Sequence, residues 1–210
     1  MGKKIKIIGC GPGDRSYLTY AATMAIDSAD VIVGSGKLLG MFPENMAQRI
    51  PLDKNVSQTV DKISALPDGR NVVVLVTGDP GLFSLASLVI KKFGAESCEV
   101  IPGISAVQVA FARLGMSWHD ARLISAHKQL PDVNLPDILK QYGKVAIFAS
   151  NDNTAKWVRS SFSDTRGNPV VVVCENLTLV DEKITWLGVD ALQDLRISPS
   201  TIIILLDKEQ

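Results

Sequence analysis

Short runs of aliphatic and β-branched residues alternate along this chain with longer segments in which apolar residues recur at helical spacing. Nine runs are predicted strands: residues 4–8, 30–33, 72–76, 98–101, 122–125, 144–149, 170–174, 183–187 and 201–206. Several of them, such as 72–76, are apolar throughout, which is typical of strands buried on both faces of a sheet. The alternation predicts an α/β fold with mostly parallel or mixed sheets.

Helical patterns fill most of the intervals between these strands. Leu18, Ala22, Ala25 and Ala29 share one helical face after the first strand. Further helices are predicted at residues 56–66, 82–93, 105–114, 135–142 and 153–162. The residues up to 117 supply about four strands, enough for a complete sheet, and a new strand then opens at residue 122. We therefore expect two α/β lobes, residues 1–117 and 118–210.

Composition narrows the class of protein. Hydrophobic residues make up 46% and charged residues 21% of the chain, as in ordinary globular proteins. The 22 basic and 22 acidic residues cancel, whereas a nucleic-acid-binding protein is expected to carry a basic excess. The apolar runs are too short for a signal peptide or a membrane span. Cys10, Cys98 and Cys174 form neither a disulfide framework nor a metal-ligand cluster. We expect a cytoplasmic protein with no metal and no nucleic-acid or membrane partner.

Three glycine-bearing turns, at residues 9–14, 77–84 and 101–106, each follow a predicted strand directly. Ligands of α/β sheets bind at the carboxyl ends of the strands, where glycine permits positive φ angles and close approach to the backbone. The first turn does not fit a dinucleotide fingerprint, because the third glycine is replaced by Asp14 and Pro12 lacks an amide hydrogen. A nicotinamide-dependent oxidoreductase is therefore a disfavoured alternative, as is a nucleotide sensor without activity.

The polar residues of the second and third turns allow two interpretations each. Asp79 is either the cap of a helix that begins near Gly81 or a ligand of a hydroxyl-rich or cationic group. Ser105 is either an N-cap or a hydrogen-bonding partner of a flat ring, for which the small residues of the third turn leave room. Three such turns on one sheet edge favour a functional site.

Together these motifs resemble the tetrapyrrole (corrin/porphyrin) methyltransferase family. The similar segments are residues 9–14 with 17–19, residues 78–80 with Ser84, and residues 102–106 with Ala110, Gly115 and Trp118. Residues 29–34, 124–127, 174–178 and 181–184 are similar to the branch that methylates C5 of precorrin-7 or cobalt-precorrin-7 in cobalamin biosynthesis. The family also contains enzymes for other precorrin positions, for a modified protein histidine and for ribosomal RNA, and these acceptors are the alternatives.

The resemblance implies S-adenosylmethionine as the cofactor, held in a cleft between the lobes, a precorrin-type tetrapyrrole as substrate, and a homodimer. The chain is shorter than the fused enzymes that also carry a decarboxylating C15 methyltransferase, so a separate C15-methylating decarboxylase is an expected partner. Ten residues are implied to contact the cofactor: Pro12 beside it, Thr77, Gly78, Asp79 and Leu82 at its methionine and ribose, Ser105 and Ala106 at its adenine, and Phe148, Asn176 and Leu177 from the second lobe.

Substrate contacts are assigned to Gly11, Gly13, Asp14, Lys37 and Lys128. Lys37 and Lys128, like Arg15 and Arg113, are candidates for pairing with the carboxylates of a macrocycle, with solvated surface charge as the alternative. His127 is the candidate catalytic residue for proton transfer, because histidine side chains exchange protons near neutral pH. A histidine that follows a strand is also commonly a surface residue.

Overall fold

The computed structural model describes residues 4–53, 55–127, 129–163 and 168–207. The chain divides into two compact units, Met1–Ser105 and Ala106–Gln210. Within the described ranges, none of the helices has the length and apolar character needed to cross a membrane.

A parallel sheet forms the centre of the first unit. Its strands are β1 (Lys4–Gly9), β2 (Val31–Gly34), β3 (Gln48–Pro51), β4 (Asn71–Val76) and β5 (Cys98–Ile101). Their order is β3-β2-β4-β1-β5, and every neighbouring pair is parallel. The helices are α1 (Tyr20–Asp27), α2 (Gly36–Gly40), α3 (Val56–Ser64) and α4 (Ala86–Phe93). Because β4, β1 and β5 are neighbours, the three glycine-bearing turns leave the sheet side by side.

Both faces of this sheet are buried at β2 and β4, which explains why β2 and residues 72–76 of β4 are apolar throughout. Residues alternate between the two faces along each strand, so Ile7 and Val74 lie in one core cluster and Ile8 and Val73 in the other. Helices α3 and α4 cover the first cluster, with Ile63 and Val89 among its buried residues; α1 and α2 cover the second with Ala22, Ile26, Leu38 and Leu39.

The second unit contains a mixed sheet. Its strands are β6 (Arg122–Ser125), β7 (Lys144–Ala149), β8 (Val170–Glu175), β9 (Lys183–Gly188) and β10 (Thr201–Leu206), in the order β6-β7-β10-β8-β9. Only β6 and β7 pair in parallel among these described strands. The helices are α5 (Ala106–Leu114), α6 (Leu135–Tyr142) and α7 (Asp152–Ser161). Helix α5 contacts β10, so it belongs to this unit, whereas the sequence places the boundary after Ser117.

The α/β class and all nine predicted strands are confirmed; two short elements were not predicted, and the predicted start of one helix is wrong. Strand β3 was not predicted, because only Ile50 is buried among its four residues and an edge strand of this kind gives no apolar run. Helix α2 was also not predicted, because its five residues are too few to show a helical period. Helix α4 begins at Ala86 and not at residue 82, since Phe83 has a φ of 50°.

Candidate active site

Backbone hydrogen bonds join the first and second glycine-bearing loops of the first unit. Gly78 donates its N–H to the Gly11 carbonyl at 2.8 Å, and Gly11 donates to the Gly78 carbonyl at 3.4 Å. Both glycines have a positive φ, 75° at Gly11 and 68° at Gly78. A side chain at Gly11 would also press on Tyr17, whose Cβ lies 3.3 Å from the position of the added atom. These two positions therefore require glycine for the loops to pair.

Gly9 and Gly103 bring the first and third loops into backbone contact. A Cβ atom on Gly9 would lie 2.6 Å from the Cα and N atoms of Gly103 and 2.6 Å from the carbonyl oxygen of Gly78. A Cβ atom on Gly103 would collide with the same carbonyl oxygen and come within 2.7 Å of Gly9 Cα. At Gly103 the neighbouring loops fill the space that a side chain would need; that the third turn leaves room for a ring stays a prediction.

Asp79 connects the second and third loops through its carboxylate. Its Oδ1 accepts a hydrogen bond from the Gly81 N–H at 2.8 Å, and its Oδ2 accepts one from the Gly103 N–H at 3.1 Å. It does not cap helix α4, which starts seven residues later at Ala86. Each carboxylate oxygen can accept a second hydrogen bond, so Asp79 keeps acceptor capacity for a ligand while it holds the loops together.

The remaining predicted residues of the first unit lie on or beside these loops. Pro12 and Ser105 are buried, Gly13 and Leu82 are half-buried, and Thr77 and Asp14 are exposed. Two contacts with Ser16 lower the pKa of the Asp14 carboxyl, the larger from the Ser16 hydroxyl and the smaller from the Ser16 N–H. The Ser16 N–H donates to Asp14 Oδ1 at 2.8 Å. Asp14 is therefore a carboxylate at neutral pH.

Two of the candidate cations of the first unit differ in their surroundings. Lys37 is exposed on α2, which follows β2 at the same sheet edge as the loops. Arg15 donates to Glu44 at 2.6 Å and lies over the Phe42 ring, so it already has an acidic partner. Lys128 lies outside the described residues.

In the second unit, His127 and Phe148 occupy the carboxyl ends of neighbouring parallel strands. His127 is exposed and follows β6, and its carbonyl oxygen accepts a hydrogen bond from the Ser150 hydroxyl at 3.0 Å. Phe148 is half-buried near the end of β7, and its carbonyl oxygen accepts from the Ala126 N–H at 3.0 Å. Ala106 is half-buried at the first position of α5.

The turn that follows β8 holds Asn176 and Leu177. The Asn176 side chain donates to Asp181 Oδ2 at 2.7 Å and accepts from the Ser198 hydroxyl at 2.6 Å. Its peptide groups bond to the Ser200 carbonyl and the Leu179 N–H. Leu177 is only 4% exposed, yet within the described ranges its N–H and carbonyl make no hydrogen bond. Asn176 thus shapes the turn, and Leu177 carries the peptide groups that a ligand can bind.

Sequence reasoning did not detect the acidic residue that supports this turn. Glu182 accepts from the Thr178 N–H at 2.6 Å and from Arg113 Nε at 2.7 Å. The Arg113 guanidinium is the main cause that lowers the pKa of the Glu182 carboxyl. Arg113 was a candidate for substrate binding, but in the structure it pairs with Glu182. The two residues are 69 positions apart, and no local pattern signals the pair.

The family model described as Tetrapyrrole (Corrin/Porphyrin) Methylases matches residues 4–191, and the chain belongs to this family. The protein is therefore a methyltransferase. Tetrapyrrole methylases use S-adenosylmethionine as the methyl donor.

Two curated relatives share most of their length with this chain. The cobalt-precorrin-7 C(5)-methyltransferase of Salmonella typhimurium is 32% identical over 189 residues, which are 90% of this chain and 92% of that protein. The probable cobalt-precorrin-7 C(5)-methyltransferase of Methanocaldococcus jannaschii is 35% identical, and the alignment covers 86% of this chain and 87% of that protein.

Solved structures of other methylases have the same fold. The crystal structure of a cobalamin biosynthesis precorrin-6Y methylase from Archaeoglobus fulgidus is 25% identical with a TM-score of 0.76, and the match covers 99% of this chain and 100% of that one. A uroporphyrin-III C-methyltransferase from Thermus thermophilus, solved in complex with S-adenosylhomocysteine, has a TM-score of 0.75 at 17% identity and covers 96% of this chain and 91% of that one.

Proposed function

We propose that this protein transfers the methyl group of S-adenosylmethionine to C5 of cobalt-precorrin-7 or precorrin-7 in cobalamin biosynthesis. The names of the two curated relatives state the cobalt-precorrin-7 reaction, and these relatives are 32% and 35% identical to the chain over most of its length. The observation that carries the proposal is the joined set of glycine-bearing loops in the first unit, with Asp79 hydrogen-bonded to Gly103 between them.

The groups available at the loops and at the Leu177 turn fit the methyl donor. Ser105 and Ala106 are proposed to line the adenine ring, and the donor and acceptors along one edge of that ring match the N–H and carbonyl of Leu177. Asp79 and Thr77 offer oxygen atoms for the ribose hydroxyls and for the amino group of the methionine part. We assign the donor to Pro12, Thr77, Gly78, Asp79, Leu82, Ser105, Ala106, Phe148, Asn176 and Leu177, with Asn176 acting through the shape of its turn.

These residues have to position the reactants more than to activate them. When bound, S-adenosylmethionine supplies a methyl group made electrophilic by the positive sulfur. The loops need only hold this methyl carbon in line with an electron-rich carbon of the acceptor, and well-oriented reactants gain about 7–11 kcal/mol from such positioning. No protein nucleophile is required. His127, exposed at the carboxyl end of β6, is the proposed acceptor of the proton that leaves the macrocycle.

The acceptor carries several carboxylates, and the proposed substrate contacts are Gly11, Gly13, Asp14, Lys37 and Lys128. Lys37 supplies positive charge at the carboxyl edge of the first sheet. Asp14 is exposed and ionised at neutral pH, and the Ser16 contacts lower its pKa further, so it suits a hydrogen-bond donor of the macrocycle, such as a ring N–H, and not a carboxylate.

We further propose that the enzyme is a cytoplasmic homodimer that works beside a separate C15-methylating decarboxylase. A Mycobacterium tuberculosis relative is named precorrin-6Y C(5,15)-methyltransferase [decarboxylating], and the matching segment is 31% of its length. Light scattering on a sizing column tests the dimer. The three cysteines are free thiols, as is usual in a reducing compartment.

Two measurements test the proposed reaction. Calorimetry with S-adenosylhomocysteine tests the cofactor site, and binding is expected. Mass spectrometry after incubation with a panel of precorrins and their cobalt forms is expected to show one added methyl group on precorrin-7 or its cobalt form. Methylation of a different precorrin in the panel would reassign the acceptor, and absence of binding together with absence of methyl transfer would refute the proposal.

A further inference from the structure

The Leu177 turn is held in a conformation that its own sequence does not favour. Asn176 has a φ of 49°, in the left-handed region that asparagine tolerates, and Thr178 has a φ of 70° in the same region. Threonine is β-branched and is a particular outlier in this region. Leu177 lies between them, so the direction of its free N–H and carbonyl depends on both. Such a conformation persists only where the surrounding contacts enforce it.

Different contacts enforce the two sides of the turn. Asn176 is fixed by its own side chain, which bonds to Asp181 and Ser198. Thr178 is fixed through its peptide N–H, which donates to Glu182 Oε2 at 2.6 Å. On that side the constraint therefore comes from a carboxylate four residues away.

Glu182 is itself fixed by an arginine on helix α5. Arg113 donates from Nε to Oε1 at 2.7 Å and from Nη2 to Oε2 at 3.3 Å, which is a bidentate pair. The Glu182 side chain is 23% exposed and that of Arg113 38%, so the pair is partly shielded from water. A chain of contacts thus runs from α5 through Arg113 and Glu182 to the peptide that precedes Thr178.

We propose that Arg113 and Glu182 are positioning residues that set the direction of the Leu177 peptide and so determine the affinity for the adenosine part of the methyl donor. The proposal rests on the proposed function, because that function assigns Leu177 to the donor. Neither residue touches the reacting atoms. Their loss is expected to weaken donor binding and to leave the Michaelis constant for the precorrin unchanged.

The experiment compares this pair with a matched ion pair of the same unit. Lys144 and Asp120 are 2.6 Å apart, with side chains 21% and 43% exposed. Arg113→Ala and Glu182→Ala are expected to raise the dissociation constant for S-adenosylhomocysteine by about tenfold or more. Lys144→Met and Asp120→Asn are expected to lower Tm by a comparable amount without changing that constant. Arg113→Lys and Glu182→Gln, which keep part of the hydrogen bonding, should recover part of the affinity.

Each outcome supports or overturns the proposed positioning role of Arg113 and Glu182. The proposal is overturned if the dissociation constant for S-adenosylhomocysteine rises by less than about tenfold in both alanine variants. It is also overturned if the variants of the control pair raise that constant equally. A higher precorrin Michaelis constant for Arg113→Ala alone also overturns it, because Arg113 would then bind substrate carboxylates. If an alanine variant does not fold, Arg113→Lys and Glu182→Gln are compared with the control pair instead. A dissociation constant for S-adenosylhomocysteine above that of the control variants then supports the proposal, and an equal constant overturns it. Failure of the wild-type protein to bind S-adenosylhomocysteine refutes the proposed function instead.

Discussion

Replacing Gly9 by alanine adds one methyl group at the point where the three glycine-bearing loops meet. The added Cβ would lie 2.6 Å from backbone atoms of Gly103 and Gly78, and ordinary van der Waals contact begins at 3.4 Å. The loops must therefore separate by about 0.8 Å, since no side chain can rotate away to make space. Overpacking of this kind lowers the free energy of unfolding by about 1–3 kcal/mol. Alanine favours the strand conformation over glycine by about 0.5–1 kcal/mol, which offsets part of this loss.

The expected net loss is about 0–2.5 kcal/mol of unfolding free energy, which corresponds to a fall in Tm of up to about 10 °C for a chain of this size. The effect on activity should be larger. A displacement of about 1 Å in a positioning site can lower the rate by about 100-fold. Differential scanning fluorimetry gives Tm, calorimetry gives the affinity for S-adenosylhomocysteine, and methyl transfer to the precorrin gives kcat.

Two other glycines provide matched controls, because each is also the last residue of its strand. A Cβ on Gly34 would lie 3.1 Å from the Leu75 Cβ atom, whereas a Cβ on Gly188 meets nothing within 4 Å. The expected order of destabilisation is Gly9→Ala, then Gly34→Ala, then Gly188→Ala, and only the first variant should lose cofactor affinity. Equal Tm and equal affinity for the Gly9 and Gly188 variants would refute the reasoning.

Three further predictions concern single side chains. His127→Ala is expected to lower kcat by about tenfold or more while cofactor affinity stays intact; unchanged turnover would remove the catalytic role. Lys37→Glu should raise the Michaelis constant for the precorrin, with Lys37→Met giving a smaller rise, and equal constants in all three proteins would count against a substrate contact. Burial raises the pKa of the Cys10 and Cys174 thiols to about 12, and it also raises the pKa of Cys98, but Cys98 is only half-buried, so in the native protein at pH 8 only Cys98 should react fast with a thiol reagent. Fast labelling of more than one thiol would contradict this.

The sequence predicted the strands well because each buried strand has its own local signal. Residues 72–76 are apolar in every position, and a strand covered by helices on both faces has no polar position to interrupt the run. Residues 48–51 have no such signal, since β3 lies at the sheet edge and buries only Ile50. The same contrast explains why a helix was expected from residue 82, where Leu82 and Phe83 continue the apolar period but the backbone turns at Phe83.

The glycine-bearing loops show which features of the site could be predicted from the sequence. Their place after β1, β4 and β5 followed from the pattern, and the order of the motifs matched a family. The contacts between the loops could not be predicted from this pattern. The sheet order β4-β1-β5 brings the loops together, and this order is set by how the whole chain packs.

By itself, the sequence determined the α/β class, nearly all of the elements and the family, because apolar runs, turn residues and motif order are local properties of the chain. Only the tertiary structure decided that Gly9 meets Gly103, that Asp79 bonds across to the third loop, and that Arg113 supports Glu182 beneath the Leu177 turn. These contacts join residues that are distant in sequence, and a distance between two such residues is fixed only when the segments that carry them pack.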